Sequence, residues 1–477
     1  MKRDKGIKKI KEIKEKYSKM QILSIVPTKR ALWKLALPAI IGMMVNALYN
    51  IIDTIFIGQG IGSLAIGGLS IVFPLQMVLN SIAIMIGVGA ASIISRSLGQ
   101  GNNEKASNVA ANAMLYIIIF GVIAIIFGMI YINELLLLLG ATEGNFAYAY
   151  DYLTIILYGC IFGMFSAGCN NIIRAEGKAI TAMVSMLLGL GVNIVLDPIF
   201  IFALNLGVRG AAIATIISQL LSSLFVVGYL IFGKSIFKFT LRNFIPRLRI
   251  LVDIIYVGLP NFVRQAGISV LAIVLNNLLF NYGGDVAIST YGVINKLTMF
   301  LIFPTLGIMQ GMQPIFGYSY GAKNYHRSID VLRYATIYGT LYMFVVWALI
   351  EIFAKYSIMM FTTDAAVVAM GTKAIRIVVA VFPVVIINMV SSTTYQSLGF
   401  GIRALFLALI RQTILLLPLI LLLPKALGIM GIWWAFPISD FSASVISGFM
   451  IVYELKRFAK LQKQKNKEEL LCKPQNQ

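Results

Sequence analysis

Apolar residues run along this chain in long unbroken blocks separated by short polar stretches. Twelve blocks stand out, at 31–57, 64–94, 108–131, 150–173, 179–204, 208–233, 250–280, 286–316, 330–354, 373–398, 404–424 and 428–455. Each reaches the roughly 20 residues that cross a hydrocarbon core at about 1.5 Å per residue. Lipid offers a free backbone no hydrogen-bond partner, so uninterrupted apolar runs predict helices; a membrane barrel would show alternation instead. The pattern therefore predicts an all-α polytopic membrane protein with twelve transmembrane helices. Composition agrees: 59% of the 477 residues are hydrophobic and 12% charged, against about half and a quarter in soluble proteins.

A net charge of +21 raises the question of nucleic acid, and its distribution answers it. With a cytoplasmic N-terminus, the inner segments 1–34, 95–107, 174–178, 234–249, 319–333, 399–403 and 456–477 hold 32 of the 40 Lys and Arg. This is the positive-inside pattern with both termini in the cytoplasm, so the charge reports topology and attraction to anionic lipid, and no nucleic-acid partner is expected. The first apolar block, at about 27 residues, is too long for the roughly 7- to 15-residue core of a cleavable signal peptide and is expected to stay as a span. Upstream of it, Ile7, Ile10, Ile13, Tyr17 and Met20 recur at helical spacing among nine basic residues. An amphipathic surface helix and a disordered basic tail both fit that segment. Cys160, Cys169 and Cys472 form no disulfide or metal-ligand pattern.

The chain also repeats itself. At an offset of 222 residues, Leu37-Pro38 meets Leu259-Pro260, and Gly62, Gly89, Gly99, Asn102 and Gly177 meet Gly284, Gly311, Gly321, Asn324 and Gly399. Six spans per repeat is an even number, so the halves share one orientation and a pseudo-two-fold axis runs along the membrane normal, as in transporters that alternate access between paired bundles. The expected organisation is a basic segment 1–30, an N-lobe 31–233, a linker 234–249, a C-lobe 250–455 and a basic tail 456–477.

Polar residues within the spans distinguish the lobes. In the first, Asn46, Asn50 and Asp53 share a face of span 1. Gln76 and Asn80 sit on span 2, Asn170 and Asn171 on span 4, Asn193 and Asp197 one turn apart on span 5, and Thr215, Ser218, Gln219 and Ser222 on span 6. A carboxylate at membrane depth costs about 2.5 to 3.5 kcal/mol. With no Lys or Arg assigned to a first-half span, the compensation expected for Asp53 and Asp197 is a bound cation or a shared proton. Pro198, which has no amide hydrogen, frees a carbonyl and favours a kink there. The second half has no such acidic pair; it carries Arg264, Lys296 and Arg411, with Asp440 as the one acid available to pair with them. Asn388, Ser391, Thr394, Tyr395 and Gln396 on span 10 either line a cavity or bind span to span.

The stretches LPAIIGMMVNALYNIIDTIFIG (37–58), NIVLDPIFIF (193–202), GVRGAAIATIISQ (207–219) and GIMQGMQPIFGYSYGAKN (307–324) resemble the multidrug and toxic compound extrusion (MATE) family, over nearly the whole chain and most closely its MepA-like bacterial branch. The resemblance implies a V-shaped pair of six-helix lobes that exports amphiphilic, often cationic drugs against Na+ or H+, with no other cofactor. It implies a monomer among membrane lipids in a bacterial cytoplasmic membrane. A first-lobe cation or proton site falls on Asp53, Asn193, Asp197 and Thr215, with Asn170 adjoining and Na+ as a candidate metal, and a bend in span 1 falls on Pro38. Asn46, Asn50, Gln76, Arg264, Gln310, Asn388 and Tyr395 are the expected substrate-cavity residues. The span-10 sequence VFPVVIINMVSSTTYQ lacks the functional Asp of another branch. A lipid-linked-precursor flippase of the same superfamily is the alternative, with a major-facilitator transporter behind it. One histidine, no metal-ligand motif and no Walker A sequence argue against an enzyme or an ATP-driven pump.

Overall fold

A computed structural model of the chain describes residues 21–60, 63–233 and 235–471. Within helices, the side chains of several residues, 46–55 and 57–60 among them, fall outside the description. The amphipathic or disordered segment expected before residue 21, and Cys472, also lie outside the described residues.

Among the described residues every long element is a helix. The first lobe comprises α1 (Thr28–Gly60), α2 (Ser63–Gly99), α3 (Asn103–Ile130), α4 (Phe146–Ala175), α5 (Ala179–Pro198) and α6 (Gly207–Phe232). In the second lobe, the run Leu248–Gly321 is broken at Gly284 (φ 62°, ψ −158°) into α7 (248–283) and α8 (285–321). α9 is Tyr325–Met359 and α12 is Ile429–Leu471. α10 joins Ala365–Val379 and Phe382–Leu398 at a 50° bend. α11 joins Gly401–Leu409 to Leu417–Leu427 through a π-helical turn, Ile410–Leu416. Nine described helices cross a membrane by length and apolarity, and the bent pair makes ten. Counting the break at Gly284 and adding α1 brings the total to the twelve expected.

Two boundaries differ from expectation. Span 10 begins at Ala365, and its bend is where Pro383 opens a new helix, since proline cannot continue the preceding hydrogen-bond ladder. The segment 456–471, expected as a tail, continues α12. Phe458 is fully buried against the rings of Phe316, Tyr320 and Tyr325 at 5.9–6.1 Å, and Lys465 Nζ donates to Lys323 O at 3.2 Å. Arg327 Nη2 donates to Ile22 O at 3.2 Å, so both ends of the described chain lie at the same end of the bundle.

The repeat is visible in local geometry. Asn102 and Asn324, 222 residues apart, each cap a helix, accepting from Lys105 N and Arg327 N. Gly177 and Gly399 both hold left-handed φ values, +85° and +83°. The repeated glycines of α2 and α8 meet each other. A Cβ on Gly99 would stand 2.1 Å from Tyr318 O, and one on Gly321 would stand 2.2 Å from Arg96 O. Gly89 is as close to Ile254 O and Gly258 closer still to Met85 O, and a Cβ on Gly311 would stand 2.6 Å from Ala36 N. Small residues let membrane helices approach backbone to backbone, and here they join the lobes along a seam. Ser92 Oγ donates across it to Gln396 O at 2.6 Å and Arg96 Nη1 to Leu398 O at 3.1 Å.

The seam lies at the end that carries both termini. One buried cluster there joins Ile86, Ala90 and Ile94 of α2 to Ile254 of α7, and another joins Leu32, Leu35 and Ala36 of α1 to Ile308, Met312 and Ile386 of the second lobe. Toward the opposite end the clusters separate. Val72, Ile132, Leu153 and Val208 belong to one lobe alone, and Leu271, Leu279, Ile375 and Trp433 to the other. The result is a V whose arms part away from the termini. Apolar side chains such as Ile123, Ile126 and Phe127 on α3 are more than half exposed, as lipid-facing residues are.

The linker is anchored to the first lobe by Glu176, which follows α4. Its carboxylate accepts from Tyr229 Oη at 2.6 Å, Ser235 Oγ at 3.0 Å and Ile236 N at 2.9 Å. Burial pushes this carboxyl above its ordinary range, against the opposing pull of those three donors. If the seam depends on glycine, Gly258→Ala, whose Cβ would meet Met85 O at 1.9 Å, lowers stability by about 1–3 kcal/mol. Gly228→Ala, with open space around it, leaves stability unchanged or raises it. Thermal unfolding of the two variants in detergent checks this, and equal midpoints would contradict it.

Candidate functional site

Asn193 and Asp197 are one turn apart on α5 and therefore share a face. Asn193 Nδ2 donates to Asp197 Oδ1 at 3.0 Å, and the two residues are 2% and 1% exposed. The helix runs through Pro198 without breaking and then widens into a π-helical turn, Ile199–Ala203, closed by Leu204 N donating to Ile199 O at 2.9 Å. The kink expected at Pro198 is thus a widened turn. Such bulges are frequent at functional sites.

Two further helices of the lobe carry buried oxygen donors. Thr215 of α6 and Asn170 of α4 are buried. Asn170 Nδ2 donates to Ser166 Oγ at 3.5 Å, Ser166 and Ser222 share a hydrogen bond of 2.7 Å, and Ser222 Oγ donates to Ser185 O at 3.0 Å. This hydroxyl network pins α4, α5 and α6 together. The side-chain carbonyl oxygen of Asn170, in this network, and that of Asn193, two turns beyond Ser185 on α5, are buried and accept no hydrogen bond. A buried acceptor left unsatisfied costs about 1–3 kcal/mol, so the pair amounts to an unmet demand for positive charge or a donor. The Asp197 carboxylate and the Asn193 amide oxygen are hard oxygen donors of the kind a Na+ ion takes, and the carboxylate alone can carry a proton. The side chains of Asn46, Asn50 and Asp53 lie outside the described residues, although α1 itself is helical through them. Among the described residues no three His, Cys, Asp or Glu converge.

The second lobe is built differently. Arg411, in the π-helical turn of α11, forms a two-pronged ion pair with Asp440 of α12, Nε to Oδ1 at 2.5 Å and Nη2 to Oδ2 at 3.1 Å. Ser439 Oγ donates to Arg411 O at 2.6 Å. Arg264 is exposed and donates to Asn261 Oδ1 at 3.0 Å. Lys296 is exposed on α8. Of the three cations, Arg411 is the one that Asp440 neutralises.

Asn388 and Tyr395, for which cavity lining and span-to-span bonding were both open, make bonds from span to span. Asn388 Nδ2 donates to Ser447 Oγ at 2.8 Å and Tyr395 Oη to Met450 O at 3.0 Å, and both residues are buried. Gln76 is half-buried on α2, and Pro38 is buried within an unbroken α1. Gln310 lines a small cavity in the seam with Gln313, Asn171 and Arg174. Sequence reasoning missed Arg174, placing it in an inner loop and leaving the first-half spans free of Lys and Arg. It occupies the last turn of α4 and is 7% exposed. Asn171, three positions earlier and so on the same helical face, was the available signal.

Twelve spans in two parallel lobes, joined at one end with buried polar sites inside the lobes, define a transporter fold. The MatE family model matches residues 38–199 and 260–422, two segments whose starts are 222 residues apart, and the chain belongs to this family of multidrug and toxic compound extrusion transporters. It is 29% identical over 432 residues to the multidrug export protein MepA of Staphylococcus aureus strain N315, covering 90% of this chain and 94% of that one. A MATE family multidrug resistance transporter solved in an outward-facing conformation is 31% identical, with a TM-score of 0.86 over 93% of this chain and 98% of that chain. A MATE structure in a bent conformation is 30% identical, with a TM-score of 0.87 over 94% of this chain and 98% of that one.

The Arg411–Asp440 geometry predicts that Arg411→Leu and Asp440→Leu each lower stability by about 3 kcal/mol, because either change strands a charge, and that the double variant loses markedly less than their sum. Unfolding of the three variants in detergent measures this. Additive losses would mean the pair is not a unit.

Proposed function

We propose that the chain exports amphiphilic, often cationic compounds by alternating access, driven by Na+ or H+ moving inward through the first-lobe site. The observation that carries this reading is the buried Asn193–Asp197 pair, in which the amide oxygen of Asn193 itself accepts no hydrogen bond. Family membership supports the substrate class, and the basic residues concentrated at the terminus-bearing end support a cytoplasmic assignment for the seam. On that assignment the V opens outward, and both termini face the cytoplasm of a bacterial cell. In this reading Asp53 of α1 is the site's second carboxylate.

In this scheme, a cation or proton arriving from outside offsets one of the two negative charges that Asp197 and Asp53 can carry and favours the conformation that has released its substrate. Its departure to the cytoplasm, with a new compound bound, restores the open V. The drive available is the ion's differential affinity for the two states. Pro38 supplies the bend in α1 that carries Asp53 toward or away from Asp197. Gln76, Asn46 and Asn50 contribute polar contacts to the compound's path.

The test is export of a fluorescent cationic dye from proteoliposomes under separately imposed Na+ and proton gradients. Wild type is expected to export under one of them, and Asp197→Asn to lose at least about tenfold of that export, the loss of one charge-assisted contact. Asn193→Leu is expected to weaken the ion dependence more than dye affinity. Export by Asp197→Asn with its ion dependence intact would sink the scheme.

A further inference from the structure

The seam contains a charge that no other part of the account uses. The Arg174 guanidinium is buried at the seam, and among the described residues no carboxylate pairs with it. Nη1 donates to Asn171 Oδ1 at 3.3 Å, Nη2 approaches Met186 Sδ at 3.1 Å, and Nε is buried with no acceptor. An isolated buried charge is among the costliest arrangements in a protein, and Arg, unlike Lys or His, does not escape by losing its proton. The cavity beside it draws its walls from both lobes. Asn171 and Arg174 come from α4 and Ser95 from α2, while Gln310 and Gln313 come from α8. Gln310 has a buried amide oxygen with no partner, and Gln313 Nε2 makes one long bond, 3.4 Å to Val88 O. A half-turn of the Gln310 amide offers its NH2 to the cavity, and the Gln313 NH2 carries a second hydrogen besides the one it gives Val88 O.

We propose that this cavity is a binding site for a monatomic anion of chloride's size, held between Arg174 of one lobe and the amides of Gln310 and Gln313 of the other. The space admits about one water-sized guest, which excludes phosphate and substrate carboxylates. Because α4 and α8 belong to different lobes, parting the seam separates Arg174 from its glutamine partners and dismantles the site. The anion therefore binds the closed-seam state alone and stabilises it by mass action. Chloride acts as a removable fastener of the V, whichever ion drives export.

The test uses the full-length protein. Crystals grown in bromide are expected to show an anomalous peak within hydrogen-bonding reach of Arg174 Nε. Spin labels at the parted ends of the two lobes are expected to show the open-V population rising on the order of tenfold over the closed-V population when 150 mM gluconate is replaced by chloride at constant ionic strength. Arg174→Gln is expected to remove that difference. If the variant does not fold, the wild-type anion series decides alone, with Gln313→Leu as the milder change. A cavity holding only water, or a population indifferent to chloride, overturns the proposal. A bromide peak without a population change marks an adventitious ion only and overturns it equally. None of these outcomes touches dye export under a cation gradient, so a failure here is distinct from a failure of the proposed function.

Discussion

The architecture rests on two helix bundles touching backbone to backbone at one end only. In lipid there is no hydrophobic reward for pressing one apolar helix against another, so association depends on close packing and hydrogen bonds. Gly89, Gly99, Gly258, Gly311 and Gly321 provide the closeness, and Ser92, Arg96 and Gln313 provide bonds to carbonyls of the other lobe. Neither feature extends to the far end, where each lobe keeps its own core. A joint that is tight, small and confined to one end can open as a unit, which is what a two-state transporter requires.

The interior of each lobe then follows from charge. The first holds Asp197 against Asn193 on helices fastened by serine hydroxyls, and leaves the amide oxygens of Asn170 and Asn193 unsatisfied. The second neutralises Asp440 internally with Arg411. Duplication supplied one scaffold twice, and the polar residues diverged so that one lobe holds the buried Asn193–Asp197 pair while the other holds a closed ion pair. In the proposed function, that asymmetry places ion chemistry on one side of a symmetric hinge.

Much of this was legible in the sequence because the bilayer imposes simple rules. Span number follows from apolar length, and the repeat follows from glycines, whose spacing had a physical cause at the seam. Asn193 and Asp197 were legible because one turn of helix puts them together and because a membrane carboxylate demands a partner. Other features depend on tertiary context. Asn388 and Tyr395 look as much like cavity residues as packing residues until Ser447 and Met450 are seen beside them. Arg174 looks like a loop residue because hydropathy does not show how far a helix continues or what the opposite lobe places against its end. The extension of α12 past residue 455 was hidden by its charges, although Leu455, Phe458 and Leu461 keep an apolar face at helical spacing.

The central claim is that Asp197 is where the driving ion binds. Calorimetric titration of the purified protein with Na+, alongside measurement of proton uptake across the acidic range, tests it most directly. The account predicts a saturable Na+ signal or a proton-uptake step in the wild type that Asp197→Asn abolishes while the protein stays folded. Identical ion binding by wild type and Asp197→Asn would contradict it.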